Sequence, residues 1–286
     1  MRTHGTVAEA AQFRITAPSP VVLVPTMGAL HRGHGALIEA ARLRAGKAGT
    51  VVVSIFVNPS QFGPNEDFGR YPRPLDADLE LCRALGADAV FTPAADDIYP
   101  HGDSTVVEET KLSTGLCGAR RPGHFRGVCT VVAKLFQILR PDAAIFGEKD
   151  YQQLAVIRRM ARDLFFPVEI IGHPTVREPD GLALSSRNRY LTPSGRELAR
   201  HLAAALVAAK ALAAGGGIAA EQITSLAREL IVRGTGCEPQ YVELVDPENL
   251  QPLETLDRPA VLAAAVVIGE TRLIDNVRLK PAHAKI

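Results

Sequence analysis

Short, unbroken apolar runs alternate with stretches of helical spacing over residues 21–172, and no other feature of the chain narrows its possible folds as far. Val21-Val-Leu-Val-Pro25 and Thr50-Val-Val-Val-Ser-Ile-Phe-Val57 are apolar at successive positions, the pattern of strands buried on both faces of a parallel sheet. Between them, after a loop over Thr26–Gly33, Ala36 to Leu43 has helical spacing and stops near Gly46. Leu75–Leu85 predicts a helix and Ala87–Thr92 a strand. From Gly127 to Leu139, the residues Val128, Val131, Val132, Leu135 and Leu139 line one helical face. Ala143–Phe146, Gln152–Leu164 and Val168–Gly172 follow as strand, helix and strand. Alternation of this kind predicts an α/β fold: a parallel sheet with helices on both faces.

The pattern changes after Pro174. Residues 194–233 are rich in Ala, Leu and Arg and are broken by Gly215-Gly-Gly217, which predicts two helices joined by a flexible turn. Three strand-like runs follow, Tyr241–Val245, Ala260–Ile268 and Thr271–Val277. The expectation is a second, smaller α+β C-terminal domain, with boundaries at 1–175 and 176–286. Division suits the length, since single cores rarely grow past about 250–300 residues. A formal charge of +1 gives no reason to expect nucleic acid or an anionic membrane surface as partner. No apolar run approaches the roughly 18 residues of a membrane span, and Met1–Ile15 has no apolar signal-peptide core, so a cytoplasmic location is expected. Cys82, Cys117, Cys129 and Cys237 include no C-x-x-C pair and suggest neither a zinc site nor a disulfide framework.

Chemistry concentrates where predicted strands end. Pro25-Thr-Met-Gly-Ala-Leu-His-Arg-Gly-His34 joins the first strand to the first helix. In open α/β sheets ligands sit at the carboxyl ends of strands, and a helix N-terminus offers N–H groups to phosphate. Gly28 and Gly33 allow close approach of backbone to a nucleotide, and His31 and His34, three apart, can point the same way onto a triphosphate. Asn58-Pro-Ser-Gln-Phe62 follows the second strand, and Gln61 offers donors and acceptors suited to a hydroxy-carboxylate. Phe146-Gly-Glu-Lys-Asp150 ends another strand and brings Lys149, a common phosphate binder. Leu184-Ser-Ser-Arg-Asn188 places two hydroxyls and a guanidinium within four residues, able to hold pyrophosphate oxygens. Taken singly, each of the last three reads as an ordinary polar loop.

Together, and in this order, these segments resemble the pantothenate synthetase family. The likeness also takes in Ser54-Ile-Phe-Val57, Arg121-Pro-Gly-His-Phe125, Tyr151-Gln-Gln-Leu154, Pro174-Thr-Val-Arg-Glu178, Arg189-Tyr-Leu191 and Arg272-Leu-Ile-Asp-Asn276. The H-x-G-H element alone resembles the wider nucleotidyltransferases. The family resemblance implies a ligase that activates pantoate with ATP as pantoyl-adenylate and then transfers it to β-alanine. It assigns ATP contacts to Met27, Gly28, Ala29, Leu30, His31, Arg32, Gly33 and His34, to Gly147, Glu148, Lys149 and Asp150, to Val176, and to Leu184, Ser185, Ser186 and Arg187. His34 takes the position of the general acid, with His31 and Lys149 on phosphate. Gln61 and Gln153 would contact pantoate, and Gln61 β-alanine as well. The resemblance further implies a Rossmann-like larger domain that forms a homodimer, with the smaller α+β domain as a lid.

Asp76 and Asp78 invite assignment as magnesium ligands, but their helical spacing predicts a solvated face. Mg²⁺ is expected to travel on the ATP phosphates, so no metal residue is named. Arg121 and His124 are secondary site candidates. Two rival functions are a nucleotidylyltransferase, which shares H-x-G-H but needs no acid pocket at Gln61 and Gln153, and a nucleotide-sensing module without catalysis.

Overall fold

A computed structural model describes residues 1–64, 66–214 and 218–281, and these divide into two compact units. The first comprises Met1–Thr114, Gly118–Glu148 and Val156–Pro174; the second comprises Gly115–Cys117, Lys149–Ala155 and Thr175–Ile286.

The first unit is built on six strands, β1 (Arg2–His4), β2 (Val21–Thr26), β3 (Thr50–Ile55), β4 (Ala89–Phe91), β5 (Ala143–Gly147) and β6 (Glu169–His173). They lie in the order β1-β4-β3-β2-β5-β6, every pair parallel. The helices of this region are α1 (Val7–Thr16), α2 (Arg32–Ala45), α3 (Leu75–Ala84), α4 (Ala95–Ile98), α5 (Leu116–Arg120), α6 (His124–Leu139) and α7 (Tyr151–Asp163). The unbroken Val runs explain the centre of the sheet. Val21–Val24 pair in register with Thr50–Val53, and all of these residues are buried. Val22, Val24, Val51 and Val53 pack against Leu37, Ile38 and Ala41 of α2 and Cys82 of α3. From β2 the chain moves outward to β3 and β4, then resumes at β5 on the other side of β2. The carboxyl ends of β2 and β5 thus form the switch point where open α/β sheets bind ligands.

Two departures from the sequence reading have physical causes. The N-terminal stretch contains β1 and α1, for which the sequence carried no expectation. Arg2-Thr-His4 is too short and polar to show a pattern, and its order comes from pairing with Ala89–Phe91 at the sheet edge. Thr6 and Glu9 close a capping box on α1, a local signal that was present in the letters. Helix α2 begins at Arg32, four residues before its apolar periodicity, so the expected loop ends at His31.

In the second unit β7 (Pro239–Val245), β8 (Ala260–Ile268) and β9 (Thr271–Leu279) form an antiparallel sheet in the order β7-β8-β9. Helices α8 (Pro193–Ala213) and α9 (Ala220–Thr235) share its core, where Leu202, Leu206, Ile223 and Ile231 meet Leu244, Leu262, Ala264 and Leu273. The small side chains of β8 let the two helices pack closely on the sheet. Gly215–Gly217, expected as the turn between the helices, lies outside the described residues. A parallel sheet with helices and a smaller antiparallel α+β body is the architecture that the residue patterns predicted.

Candidate active site

The turn from β2 into α2 is held in an unusual shape. Gly28 (φ +79°) and Ala29 (φ +51°) are both left-handed, and a Cβ on Gly28 would lie 3.0 Å from both Asp78 Oδ2 and Ile55 Cγ2. A non-glycine residue there costs about 1–3 kcal/mol, so something must stabilise the turn. Ala29 N–H donates to Asp78 Oδ2 at 2.8 Å and Leu30 N–H donates to Asp78 Oδ1 at 2.7 Å. Hydrogen bonds to a charged acceptor contribute about 1.5–3 kcal/mol each, enough to offset the strain. Asp78 is 2% exposed. The expected solvated face is therefore corrected: Asp76 is exposed, but Asp78 shares the buried side of α3 with Cys82, one turn on.

The same turn fixes both histidines. His31 is the N-cap of α2, its Nδ1 accepting from Gly33 N–H at 3.1 Å, while His34 Nδ1 accepts from His31 N–H at 3.3 Å. The rings stack with centroids 4.1 Å apart. Because each Nδ1 accepts from the backbone, the proton of each neutral ring resides on Nε2. The pair can therefore donate to an anion. Met27, His31, Gly33 and His34 are half-buried and Arg32 is exposed, whereas Ala29 and Leu30 are buried with their N–H groups on Asp78.

Gln61 stands in the same unit, 8% exposed and braced on every side. Its Oε1 accepts from Asn58 Nδ2 at 3.0 Å, which orients the amide, and its Nε2 donates to Met27 Sδ at 3.1 Å. A thioether is a weak acceptor, so a ligand oxygen could replace it at little cost. Asn58 is held in turn by Gly127 O, Ser60 and the Tyr99 hydroxyl. Gly127 is required there because a Cβ would come within 2.3 Å of Ser60 O. Behind the main chain of Gln61, His124 Nδ1 lies 2.9 Å from its carbonyl and Arg121 NH2 donates to the same oxygen at 3.3 Å. Arg121 also donates from NH1 to His124 Nε2 at 2.9 Å, so the His124 proton sits on Nδ1 and is donated to Gln61. Glu66 grips Arg121 through both carboxylate oxygens, at 2.7 and 2.5 Å. Burial pushes the Glu66 carboxyl up, but the Arg121 hydrogen bonds and charge outweigh it and hold the group below its ordinary value. Arg121 and His124, named only as secondary candidates, thus converge on Gln61.

At the end of β5, Gly147 and Glu148 are half-buried beside the switch point. The chain then enters the second unit, where Asn276 Nδ2 donates to Lys149 O at 2.9 Å and Lys149 Nζ lies 3.6 Å from Asp150 Oδ2. Gln153 is half-buried on α7, two residues after Tyr151, whose hydroxyl donates to Pro247 O. Val176 O accepts from Leu184 N–H at 3.0 Å, so these two residues face each other across a short antiparallel bridge next to Arg177 and Ala183. Ser185 caps the 3-10 turn of Ser186–Tyr190 by accepting from Arg187 N–H, which sets Ser185, Ser186 and Arg187 on one tight bend. Arg177 clamps Asp275 with two bonds, at 2.7 and 2.9 Å, and so ties this bend to β9. The Pro174–Glu178 and Arg272–Asn276 segments hold the second unit's motifs in place. The sequence likeness gave a role to Val176 alone among their residues.

Asp78, Asn58 and Tyr99 were missed. Asp78 could have been found, since Asp78, Cys82 and Leu85 fall on one helical stripe. Asn58 and Tyr99, 41 residues apart, carry no local signal of their contact. Among the described residues no group of three or more His, Cys, Asp or Glu could hold a metal ion. Burial pushes the Cys82 and Cys129 thiols up to about 12, which leaves them poor nucleophiles.

Comparison with known proteins places this geometry in context. Residues 1–278 match the model of the pantoate-beta-alanine ligase family. The pantothenate synthetase of Geobacter sulfurreducens is 50% identical over 279 residues, covering 96% of this chain and 98% of that one. That of Moorella thermoacetica is 54% identical over 258 residues, 90% of each. Among solved structures, the pantothenate synthetase of Thermus thermophilus superposes with a TM-score of 0.90 at 48% identity, covering 97% of this chain and 99% of that one. The pantoate-beta-alanine ligase of Francisella tularensis, described as complexed with beta-gamma ATP and beta-alanine, gives a TM-score of 0.78 at 36% identity over 97% of both chains.

Proposed function

The chain belongs to the pantoate-beta-alanine ligase family and is a ligase, and from that premise we propose that it condenses (R)-pantoate with β-alanine, using ATP, through a pantoyl-adenylate. A pantoate carboxylate oxygen attacks the α-phosphorus, a P–O bond breaks and pyrophosphate leaves. The β-alanine amine then attacks the acyl carbon, forms the amide, loses a proton and expels AMP.

The observation that carries this reading is the histidine pair at the carboxyl end of β2, locked with both Nε2–H groups as donors. Adenylyl transfer builds negative charge on phosphate oxygens, and fixed donors aimed at that charge need no reorganisation as it develops. His34 and His31 take this role, with His34 nearest to a general acid. The proposal gives Lys149, Ser185, Ser186 and Arg187 the β- and γ-phosphates and the departing pyrophosphate. The stretches Met27–His34 and Gly147–Asp150 border the nucleotide, as do Val176 and Leu184. Gln61 and Gln153 hold pantoate, with the oriented Nε2 of Gln61 donating to an acid or hydroxyl oxygen, and Gln61 also meets β-alanine. The Francisella relative, described as complexed with beta-gamma ATP and beta-alanine, supports the substrate pair. Each Asp78 oxygen faces a main-chain N–H, and the donor set suits a metal carried by the nucleotide; Mg²⁺ bound there would neutralise phosphate charge. A cytoplasmic homodimer completes the proposal, and sedimentation velocity tests the dimer.

The direct test supplies ATP, Mg²⁺, pantoate and β-alanine and resolves the products. Pantothenate and AMP in equal amounts are expected. A dinucleotide-like product, or ATP bound without any turnover, would contradict the proposal.

A further inference from the structure

We infer that Asp78 is a positioning residue for adenylyl transfer: its buried carboxylate occupies the amide-lined Gly28–Leu30 turn and so sets where His31 and His34 present their Nε2–H groups. This rests on the reading that those histidines hold phosphate. Successive main-chain N–H groups in a tight turn can line a small anion-binding concavity. Here the protein fills that concavity itself, with one carboxylate oxygen on Ala29 N–H and the other on Leu30 N–H. The residue after Leu30 is His31, the N-cap that starts α2 and stacks on His34. Any slackening at Ala29 or Leu30 therefore passes directly into the ring positions.

Charge sharpens the inference. A carboxylate next to a triphosphate site opposes nucleotide binding, so a favourable contribution from Asp78 must come through the shape of the turn. Distance also matters, because catalytic donors lose most of their effect when misplaced by about 1 Å, on the order of 100-fold in rate.

Asp78→Asn retains the size of the side chain but turns an NH2 toward one of the two N–H groups. In full-length protein assayed with ATP, Mg²⁺, pantoate and β-alanine, we expect kcat to fall about 10- to 100-fold. KM for pantoate and the Mg²⁺ concentration for half-maximal rate should stay within about twofold. Gly28→Ala disturbs the same turn from its other side, since its Cβ would crowd Asp78 Oδ2 and Ile55. It should show the same kcat loss, and the double variant should be no worse than the poorer single, as expected of residues acting through one element. Asp76→Asn, exposed on the same helix, should match wild type.

Unchanged kcat in folded Asp78→Asn would overturn the proposal. So would tighter ATP binding with kcat retained, the mark of simple charge repulsion. A raised Mg²⁺ requirement would mark a metal ligand instead, and multiplying losses in the double variant would mark independent roles. If Asp78→Asn does not fold, Gly28→Ala decides, and full activity in it overturns the inference. Wild-type protein that makes no pantothenate would sink the functional reading itself, a result separate from any of these.

Discussion

Histidine is an uncommon N-cap, where Ser, Thr, Asp or Asn is the usual acceptor, and at position 31 the choice has a chemical consequence. A serine there would cap α2 as well, but its single oxygen would be both the acceptor at the helix end and the only donor. An imidazole accepts from the helix with Nδ1 and still carries N–H on Nε2. The helix cap and the donor proposed for phosphate thus lie on opposite sides of one ring, and His34 repeats the arrangement through His31 N–H. Lys149 is held differently: its main-chain oxygen accepts from Asn276 while its ammonium group lies 3.6 Å from the Asp150 carboxylate. His34→Ala and Lys149→Ala should each slow adenylate formation by about 100- to 1,000-fold, the cost of removing one preorganised charge-stabilising donor. Both variants should fold, since neither side chain belongs to the core. Rapid-quench measurement of pyrophosphate release with ATP and pantoate alone checks this, and near-wild-type rates in either variant would remove that residue from the phosphate site.

At the scale of elements, Gln61 shows how a short 3-10 turn (Pro59–Gln61) is made rigid by a helix. Helix α6 brings Gly127 against the turn and His124 under its carbonyl, and Arg121, just before α6, completes the grip with Glu66. Arg121→Ala should raise KM for pantoate about tenfold while leaving KM for ATP unchanged, because the turn and not the phosphate loop is released. Glu66 adds a pH dependence. Its folded-state value is depressed, so its contribution is complete above the ordinary Glu value of about 4.3 and is lost as pH falls through the lower, folded value. The melting temperature of Glu66→Gln should lie below that of wild type at pH 7, with the gap closing at acid pH; a gap that persists unchanged to about pH 3 would refute the assignment. The elements themselves were legible to different depths. Strands β2 and β3 announced themselves through continuous Val runs. The start of α2 did not, since Arg32-Gly-His-Gly35 has poor helix propensity and is helical because His31 and His34 cap it. Asp78 was misread because its acidic neighbour Asp76 suggested a wet surface, although its spacing from Cys82 placed it inside.

For the whole molecule, what sequence conveyed best was order. Strand–helix alternation predicted the parallel sheet, and the motifs at strand ends pointed to its carboxyl edge as the candidate site. The position of β5 beside β2 was not legible, because strand order is set by long-range pairing such as Val22 with Ala143, which leaves no local trace. That pairing places Gly147 at the switch point with the histidine turn. The roles proposed for the chain require a sequence of events: phosphate groups and acid are held first, and no residue has been assigned to activate the amine beforehand. The central claim is therefore that pantoate is adenylated before β-alanine takes part. It is tested most directly with pantoate labelled with ¹⁸O in its carboxylate, alongside exchange of labelled pyrophosphate into ATP without β-alanine. Transfer of one ¹⁸O to AMP, and exchange that depends on pantoate alone, is the predicted result. AMP free of label, or exchange that appears only when β-alanine is present, would contradict the account.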